Sequence, residues 1–184
     1  MEIARLRQEL VRTRVQLDEA RKDAITDPLT KLLNRRGFFE HFNRETARLE
    51  RYQTHFSVAI MDIDNFKEVN TIYGHDGGDE ALRTVTAAIK GAVRESDVVC
   101  RWGGEEVIIM FPETLLDSAL RTAERIRRIV QVTDIHVAQD KSINRTISIG
   151  VASTVETGPE KIITIADEYL DRAKKTGKNK VVTG

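Results

Sequence analysis

The stretch that most restricts how this chain can fold is Asp97 to Phe111, DVVCRWGGEEVIIMF. Two β-rich runs flank a pair of glycines, the pattern of a β-hairpin. Two adjacent glutamates, Glu105 and Glu106, stand at the mouth of its second run. Neighbouring carboxylates repel, so that position demands a positive group or a transferable proton close by. A further apolar run, FSVAIMDID at 56–64, reads as a buried strand and ends in two more acids, Asp62 and Asp64. These lie two apart, so an extended backbone puts them on one face. If the hairpin pairs beside this strand, three or four carboxylates converge on one point.

The remaining elements are placed by periodicity and by breakers. Ile3, Leu10, Leu17 and Ala24 recur every seven residues, with Leu6, Thr13 and Ala20 in the second seam, and charged residues fill most other positions. An a/d repeat of this length predicts a short coiled coil. The alternative is an amphipathic helix lying on its own domain. Pro28 closes the helix by biasing its predecessor away from helical geometry. Two units are therefore expected: a signalling helix over 1–26 and a globular domain over 27–184. Within the latter, helices are expected over Arg36–Tyr52, over NFKEVNTIY, over Glu80–Arg94, over Leu115–Val132 and over Glu160–Lys175. The first two of the globular domain's helices bracket the FSVAIMDID strand, and GHDGGD reads as a turn between the second and third. TISIGVAST and a final VVT read as strands. Strands and helices alternate without internal repeats, which predicts a mixed α/β domain built around one sheet.

Charge balance narrows the function classes. The 184 residues carry 29 basic and 29 acidic side chains, which argues against a general nucleic-acid or membrane-surface binder. The lone Cys100 has no internal partner for a disulfide, as expected of a reducing compartment. No apolar run approaches the roughly 20 residues that span a bilayer, and no secretory leader is visible. A cytoplasmic protein is expected.

An acidic cluster is costly unless protonated or bound to a cation. Oxygen ligands without a His or Cys set favour Mg²⁺ over zinc, and Mg²⁺ completes its shell with water and substrate phosphates. Such a site activates a hydroxyl for attack on phosphorus. A solvated acidic turn is the alternative for GGEE alone; Asp-x-Asp at a strand end tips the balance. Gly103 and Gly104 would let a ligand approach the backbone. Asn65 and Phe66 open a helix whose free amides can hold phosphate, with Lys67, Lys174 and Lys178 as candidate cations.

Five segments in order, DPLTKLLNRRGF, DIDNFKEVNTIYGHDGGDEAL, RWGGEEVIIMFPET, TISIGVA and ADEYLDRAKKTGKN, resemble the successive motifs of GGDEF-domain diguanylate cyclases. The resemblance runs from about Thr26 to the C-terminus, with GGEEV as the local form of the signature. It implies a nucleotidyl-cyclase or polymerase-palm fold, a mainly antiparallel five-stranded sheet wrapped by helices. It also implies condensation of two GTP into cyclic di-guanylate with release of pyrophosphate, supported by Mg²⁺ or by Mn²⁺ in its place. Each domain of such an enzyme holds one GTP, so a homodimer must join two half-sites, and the N-terminal helix would set that pairing. Any sensory domain feeding the helix would lie outside these residues.

Residue by residue, the resemblance makes Asp62 a metal ligand assisted by the Ile63 carbonyl, with Glu106 the second carboxylate. Glu105 corresponds to the group that helps deprotonate the GTP 3′-hydroxyl and that can also touch metal. Asn70 and Asp79 match the pair that reads guanine, Lys174 a phosphate-binding lysine, and Gly103 and Gly104 the space for the nucleotide. Two positions depart from the pattern: Val107 replaces a usual phenylalanine, and Lys178 replaces an arginine, keeping the charge without the bidentate fork. Arg94 to Asp97, RESD, resembles an inhibitory product site, with Arg125 as a secondary contact; a weak surface Arg–Asp pair is the alternative. Trp102 and Cys100 are read as packing, His75 and Asp76 as shaping a turn, and His41, His55 and His136 as scattered. A catalytically weak or inactive module that binds GTP or cyclic di-guanylate as a sensor is the competing function. Another nucleotidyl cyclase is a third reading, which the guanine-reading pair opposes.

Overall fold

The computed structural model describes residues 2–139 and 141–184, with the side chains of residues 2–4 and 18 outside the described set. The side chain at heptad position Ile3 therefore lies outside the described set. The order along the chain is α1 (Glu2–Ile25), α2 (Arg35–Tyr52), β1 (Ser57–Ile63), α3 (Phe66–Gly91), β2 (Val98–Arg101) and β3 (Glu106–Phe111). There follow α4 (Leu116–Val132), β4 (Ile135–Ala138), β5 (Lys141–Ile143), β6 (Ile147–Ser153), α5 (Thr154–Thr157), α6 (Ile162–Lys175) and β7 (Val181–Val182).

Five strands form one sheet in the order β2-β3-β1-β6-β7. Every pair is antiparallel except β6–β7. The mainly antiparallel five-stranded sheet expected from the sequence is therefore present. Both of its faces are covered, so β1, β3 and β6 are apolar on both sides instead of alternating with polar residues. Ala59, Met61, Ile63, Val107 and Ile109 pack on one face with residues of α3 and α4 such as Val85 and Ile126. Val58, Ile60, Ile108 and Met110 pack on the other with Phe38 of α2 and Leu170 of α6. Burial at this density stabilises by about 25 cal/mol per Å² of apolar surface removed from water.

Gly150 of β6 explains how α6 reaches the sheet. A Cβ there would lie 2.1 Å from the Ala166 carbonyl and 2.3 Å from the Leu170 amide, so no side chain fits between strand and helix. The last turn of α6, carrying Lys174, is thereby laid over the end of β1.

Three sequence expectations are corrected. The break expected over GHDGGD is narrower than the motif suggested: two helical segments meet within α3 at Gly74, whose φ of 71° and ψ of −179° kink the chain, and the second segment starts at His75 instead of near Glu80. His75 and Asp76 accordingly sit exposed on the helix. A second, two-stranded sheet, β4–β5, packs against α3 and was not anticipated, nor was the single turn α5. Its strands are short and mostly polar on one side, leaving little periodicity to read.

The heptad seam of α1 faces outward. Leu10 and Leu17 are 70% and 67% exposed, so these seam residues do not pack on the globular domain, which α1 meets near its C-terminal end, where Arg21 reaches Glu40. Among the described residues no helix is long and apolar enough to cross a membrane.

Candidate active site

Strand register brings the acids together. In the β1–β3 ladder Asp62 pairs with Glu106, and alternation puts both on the face covered by α6. The positive group demanded by the glutamate pair is Lys174, whose Nζ lies 2.9 Å from Asp62 Oδ2. Burial raises the Asp62 carboxyl above the ordinary range; Lys174 opposes that shift, while the charges of Glu105 and Glu106 add to it. Burial alone would pull the Lys174 ammonium down, but the Asp62 contact and the surrounding carboxylates outweigh it, leaving its pKa raised. The two partners do not mirror one another, because desolvation wins at the carboxylate and attraction wins at the ammonium.

An open cavity of about 550 Å³ adjoins this pair. Asp62, Ile63 and Glu105 form one wall, Asn65, Phe66 and Lys67 at the start of α3 another, and Lys178 closes a side. Asn65 is left-handed, with φ of 57°, and provides no side-chain cap, so the Phe66 and Lys67 amides keep their hydrogen-bonding capacity, whereas the Glu68 amide donates to the Asn65 carbonyl. Lys178 donates to the Asn65 side chain across the rim.

Only part of the expected acidic convergence is realised. Asp64 shares parity with Asp62 but lies past the end of β1, 3% exposed, and accepts from Thr146 Oγ1 at 2.6 Å and Ser148 Oγ at 2.7 Å. Its carboxylate is spent on the fold. Among the described residues no three Asp, Glu, His or Cys side chains gather closely enough to enclose an ion between them. Asp62, Glu106 and the Ile63 carbonyl remain as an all-oxygen donor set. It fits a hard cation that completes its shell from water and phosphate, and the raised Asp62 carboxyl is a charge such an ion would relieve.

The base-reading candidates lie one helix segment away. Asn70 rests against Gly78, where a Cβ would sit 1.9 Å from Asn70 Oδ1, and Asp79 follows directly. Gly78 is a close-packing position against Asn70 that motif reading did not single out. Its signal was a glycine inside a helix eight residues after a polar side chain.

The hairpin carrying the glutamates is braced from below. Arg101 donates from Nε and Nη2 to the Gly104 carbonyl at 3.1 and 2.8 Å, and its Nη1 lies 3.1 Å from Asp27 Oδ2. Burial would raise Asp27, but bonds from the Thr30 amide and hydroxyl, together with Arg101, hold it below the usual range. Gly103 packs against Glu106, since a Cβ there would meet Oε2 at 2.9 Å. Trp102 packs against Phe38, with centroids 5.5 Å apart, and carries the Arg35 guanidinium on its face. Val107 is 1% exposed, so the departure from phenylalanine faces the core. Cys100 is buried, and its thiol is pushed up to about 12, which leaves it protonated and inert.

The RESD segment is divided. Asp97 accepts from the Arg94 amide at 2.8 Å and is 6% exposed. Arg94 and Arg125 line one cavity of about 640 Å³ beside α4, and Arg125 donates to the Ala92 carbonyl at 2.7 Å. Asp97 lines a neighbouring cavity of about 630 Å³ with Lys31 and Lys90.

The family model described as diguanylate cyclase, GGDEF domain, matches residues 24–180. The chain belongs to the GGDEF family. Diguanylate cyclase DosC of Escherichia coli K12 is 45% identical over 163 residues, covering 88% of this chain and 35% of the relative. Response regulator PleD of Caulobacter vibrioides is 41% identical over 172 residues, covering 92% and 38%. The chain thus spans about a third of the length of these curated relatives. Among solved structures, the coiled coil and GGDEF domain of DgcB from Caulobacter crescentus, in complex with c-di-GMP, superposes with a TM-score of 0.91 at 29% identity, covering 100% of this chain and 97% of that one. The GGDEF fold follows from these likenesses, and the family model and DosC bear the name diguanylate cyclase.

Proposed function

We propose that this GGDEF domain is an active, metal-dependent diguanylate cyclase that condenses two GTP into cyclic di-guanylate and pyrophosphate. The observation that carries the reading is the pairing of Asp62 with Glu106 across β1 and β3, beside Lys174 and the amides opening α3. In this reading Asp62, Glu106 and the Ile63 carbonyl hold Mg²⁺ or Mn²⁺, which when bound neutralises triphosphate charge. The α3 amides at Asn65 and Phe66, with Lys174 and Lys178, grip the phosphates. Asn70 and Asp79 orient guanine, because an aspartate accepts from the N1–H and N2–H₂ edge that adenine lacks. Gly103 and Gly104 leave room for the nucleotide, and Glu105 at the cavity rim takes the proton of the 3′-hydroxyl as it attacks.

Each chain presents one such half-site, so the reaction needs a second copy. The helix over residues 1–26 is the pairing element in this reading, and 27–184 the catalytic unit. The exposed seam at Leu6, Leu10 and Leu17 supports it. Product inhibition is assigned to Arg94, Asp97 and Arg125, supported by two arginines on one cavity able to engage phosphate and stack on guanine. The test is turnover of GTP with Mg²⁺ across a range of protein and added product concentrations. A rate that becomes steeply concentration-dependent when Leu10 and Leu17 are changed to lysine, and product inhibition that Arg94→Ala relieves, are expected. An unchanged concentration dependence refutes the pairing role, and inhibition unaltered by Arg94→Ala refutes the inhibitory assignment.

A further inference from the structure

Asp64 is the acid that the sequence pattern places beside Asp62, yet its carboxylate is saturated by hydrogen bonds inside the fold. Besides Thr146 and Ser148 it accepts from the Asn179 amide at 3.0 Å. Asn179 belongs to the segment joining α6 to β7, where Gly177, Lys178 and Asn179 take successive φ values of 114°, 60° and 45°. Consecutive left-handed residues are unfavourable unless the surroundings enforce them. Here they are clamped twice. Asp64 holds the Asn179 amide from beneath, and Arg127 Nη1 donates to Asn179 Oδ1 at 2.7 Å from α4. Arg127 is itself fixed by Glu124 through contacts of 2.8 and 2.9 Å.

Asp64 therefore stands at the junction of two segments. It is covalently joined to Asn65 and hydrogen-bonded to Asn179, the residue after Lys178. The side chains of Asn65 and Lys178 are the two that meet across the rim of the cavity. We propose that Asp64 is a positioning residue: it locks the 177–179 segment in its left-handed form and so holds the Lys178 ammonium at the triphosphate end of the site. The inference rests on the cyclase reading above. A buried carboxylate suits this task because its oxygens receive several donors at once, at fixed angles, and charge-assisted bonds resist distortion. Asparagine at 64 keeps one acceptor for Thr146 and the Asn179 amide and turns its NH2 toward the Ser148 hydroxyl, which can accept, so what is lost is the charge that strengthens the hold on the Asn179 amide.

A double-mutant cycle tests this, combining Asp64→Asn with Lys178→Ala and reading both steady-state kinetics and the Kd of a non-hydrolysable GTP analogue with Mg²⁺. Asp64→Asn alone is expected to raise KM and Kd about tenfold, the loss of one charge-assisted contact, with kcat changed much less. In the Lys178→Ala background the same change is expected to add less than twofold, because the group it positions is gone. Equal losses in both backgrounds, or a fall in kcat at constant KM, overturn the proposal. Should Asp64→Asn fail to fold, Thr146→Val removes the hydroxyl that fixes Asp64 Oδ2, the oxygen that holds the Asn179 amide. It should raise KM in the wild-type background alone, and a wild-type KM and Kd overturn the proposal. A wild-type protein that neither binds the analogue nor forms product refutes the cyclase reading itself, whereas wild-type turnover with an additive cycle refutes this inference alone.

Discussion

Replacing Gly78 by alanine should separate catalysis from stability. The new Cβ would sit 1.9 Å from Asn70 Oδ1, 3.0 Å from its Cγ and 3.4 Å from Phe66 Cζ. Ordinary contact begins near 3.4 Å, so the carboxamide must retreat by about 1.5 Å or change rotamer. Phe66 cannot move in its place, since its ring is 6% exposed and packed in the core. The backbone at 78 is helical, where alanine is favoured over glycine by about 1 kcal/mol. Unfolding should therefore occur at the same temperature or slightly higher. The recognition of guanine should suffer, because a displacement of about 1 Å in a positioning group can cost roughly 10²-fold in rate. The assay is kcat/KM for GTP beside thermal unfolding of the same preparation. We expect kcat/KM to fall by roughly 10²-fold at unchanged Tm. A variant with wild-type kcat/KM would refute the assignment of Asn70 to the base, and a large drop in Tm would refute the local reasoning about the helix.

Other expectations follow from the charges. With its carboxyl held down to about 2, chiefly by the hydrogen bond from Arg127, Glu124 contributes stability present above its ordinary value of 4.5 and lost as pH falls toward 2. Glu124→Gln should flatten the stability–pH curve over that window, and a curve of wild-type slope in chemical denaturation would contradict it. Divalent cation at ten times its Kd should stabilise the folded protein by about 1.4 kcal/mol, a rise in Tm of roughly 3–6 °C. The rise should vanish in Asp62→Asn, as thermal scans with EDTA and with Mg²⁺ will reveal. Asp27→Asn frees Arg101 from its ion pair and loosens the grip on the Gly104 carbonyl. It should cost about 1–2 kcal/mol in urea unfolding and lower kcat; a wild-type kcat would show that the brace does not support the glutamate loop.

Most of the architecture was legible because the sheet is buried on both faces and its strands are long apolar runs between clear breakers. The register that joins Asp62 to Glu106 was legible only as a condition, since pairing partners are not written in either strand alone. Asp64 was misread for a related reason: the donors that occupy its carboxylate, Thr146, Ser148 and the Asn179 amide, come from far along the chain and are not written in β1. Gly74 misled in the opposite direction, since a glycine-rich stretch that promised a turn needed only one non-helical residue. The β4–β5 pair carries its information in contacts with α3 instead of in its own pattern. Lys174 was recognised as a phosphate candidate but not as the counter-charge of Asp62, because that contact is made by α6 lying on Gly150, far along the chain.

The most direct test is product analysis from GTP and Mg²⁺ for the wild-type protein beside Asp62→Asn and Glu106→Gln. The wild-type protein should yield cyclic di-guanylate, with two pyrophosphates released for each product. Both variants should fall by at least a hundredfold while remaining folded, as expected when a group that stabilises developing charge is removed. A wild-type protein that makes no product at any concentration, or variants that turn over at the wild-type rate, would contradict the assignment of catalysis to this pair of facing carboxylates.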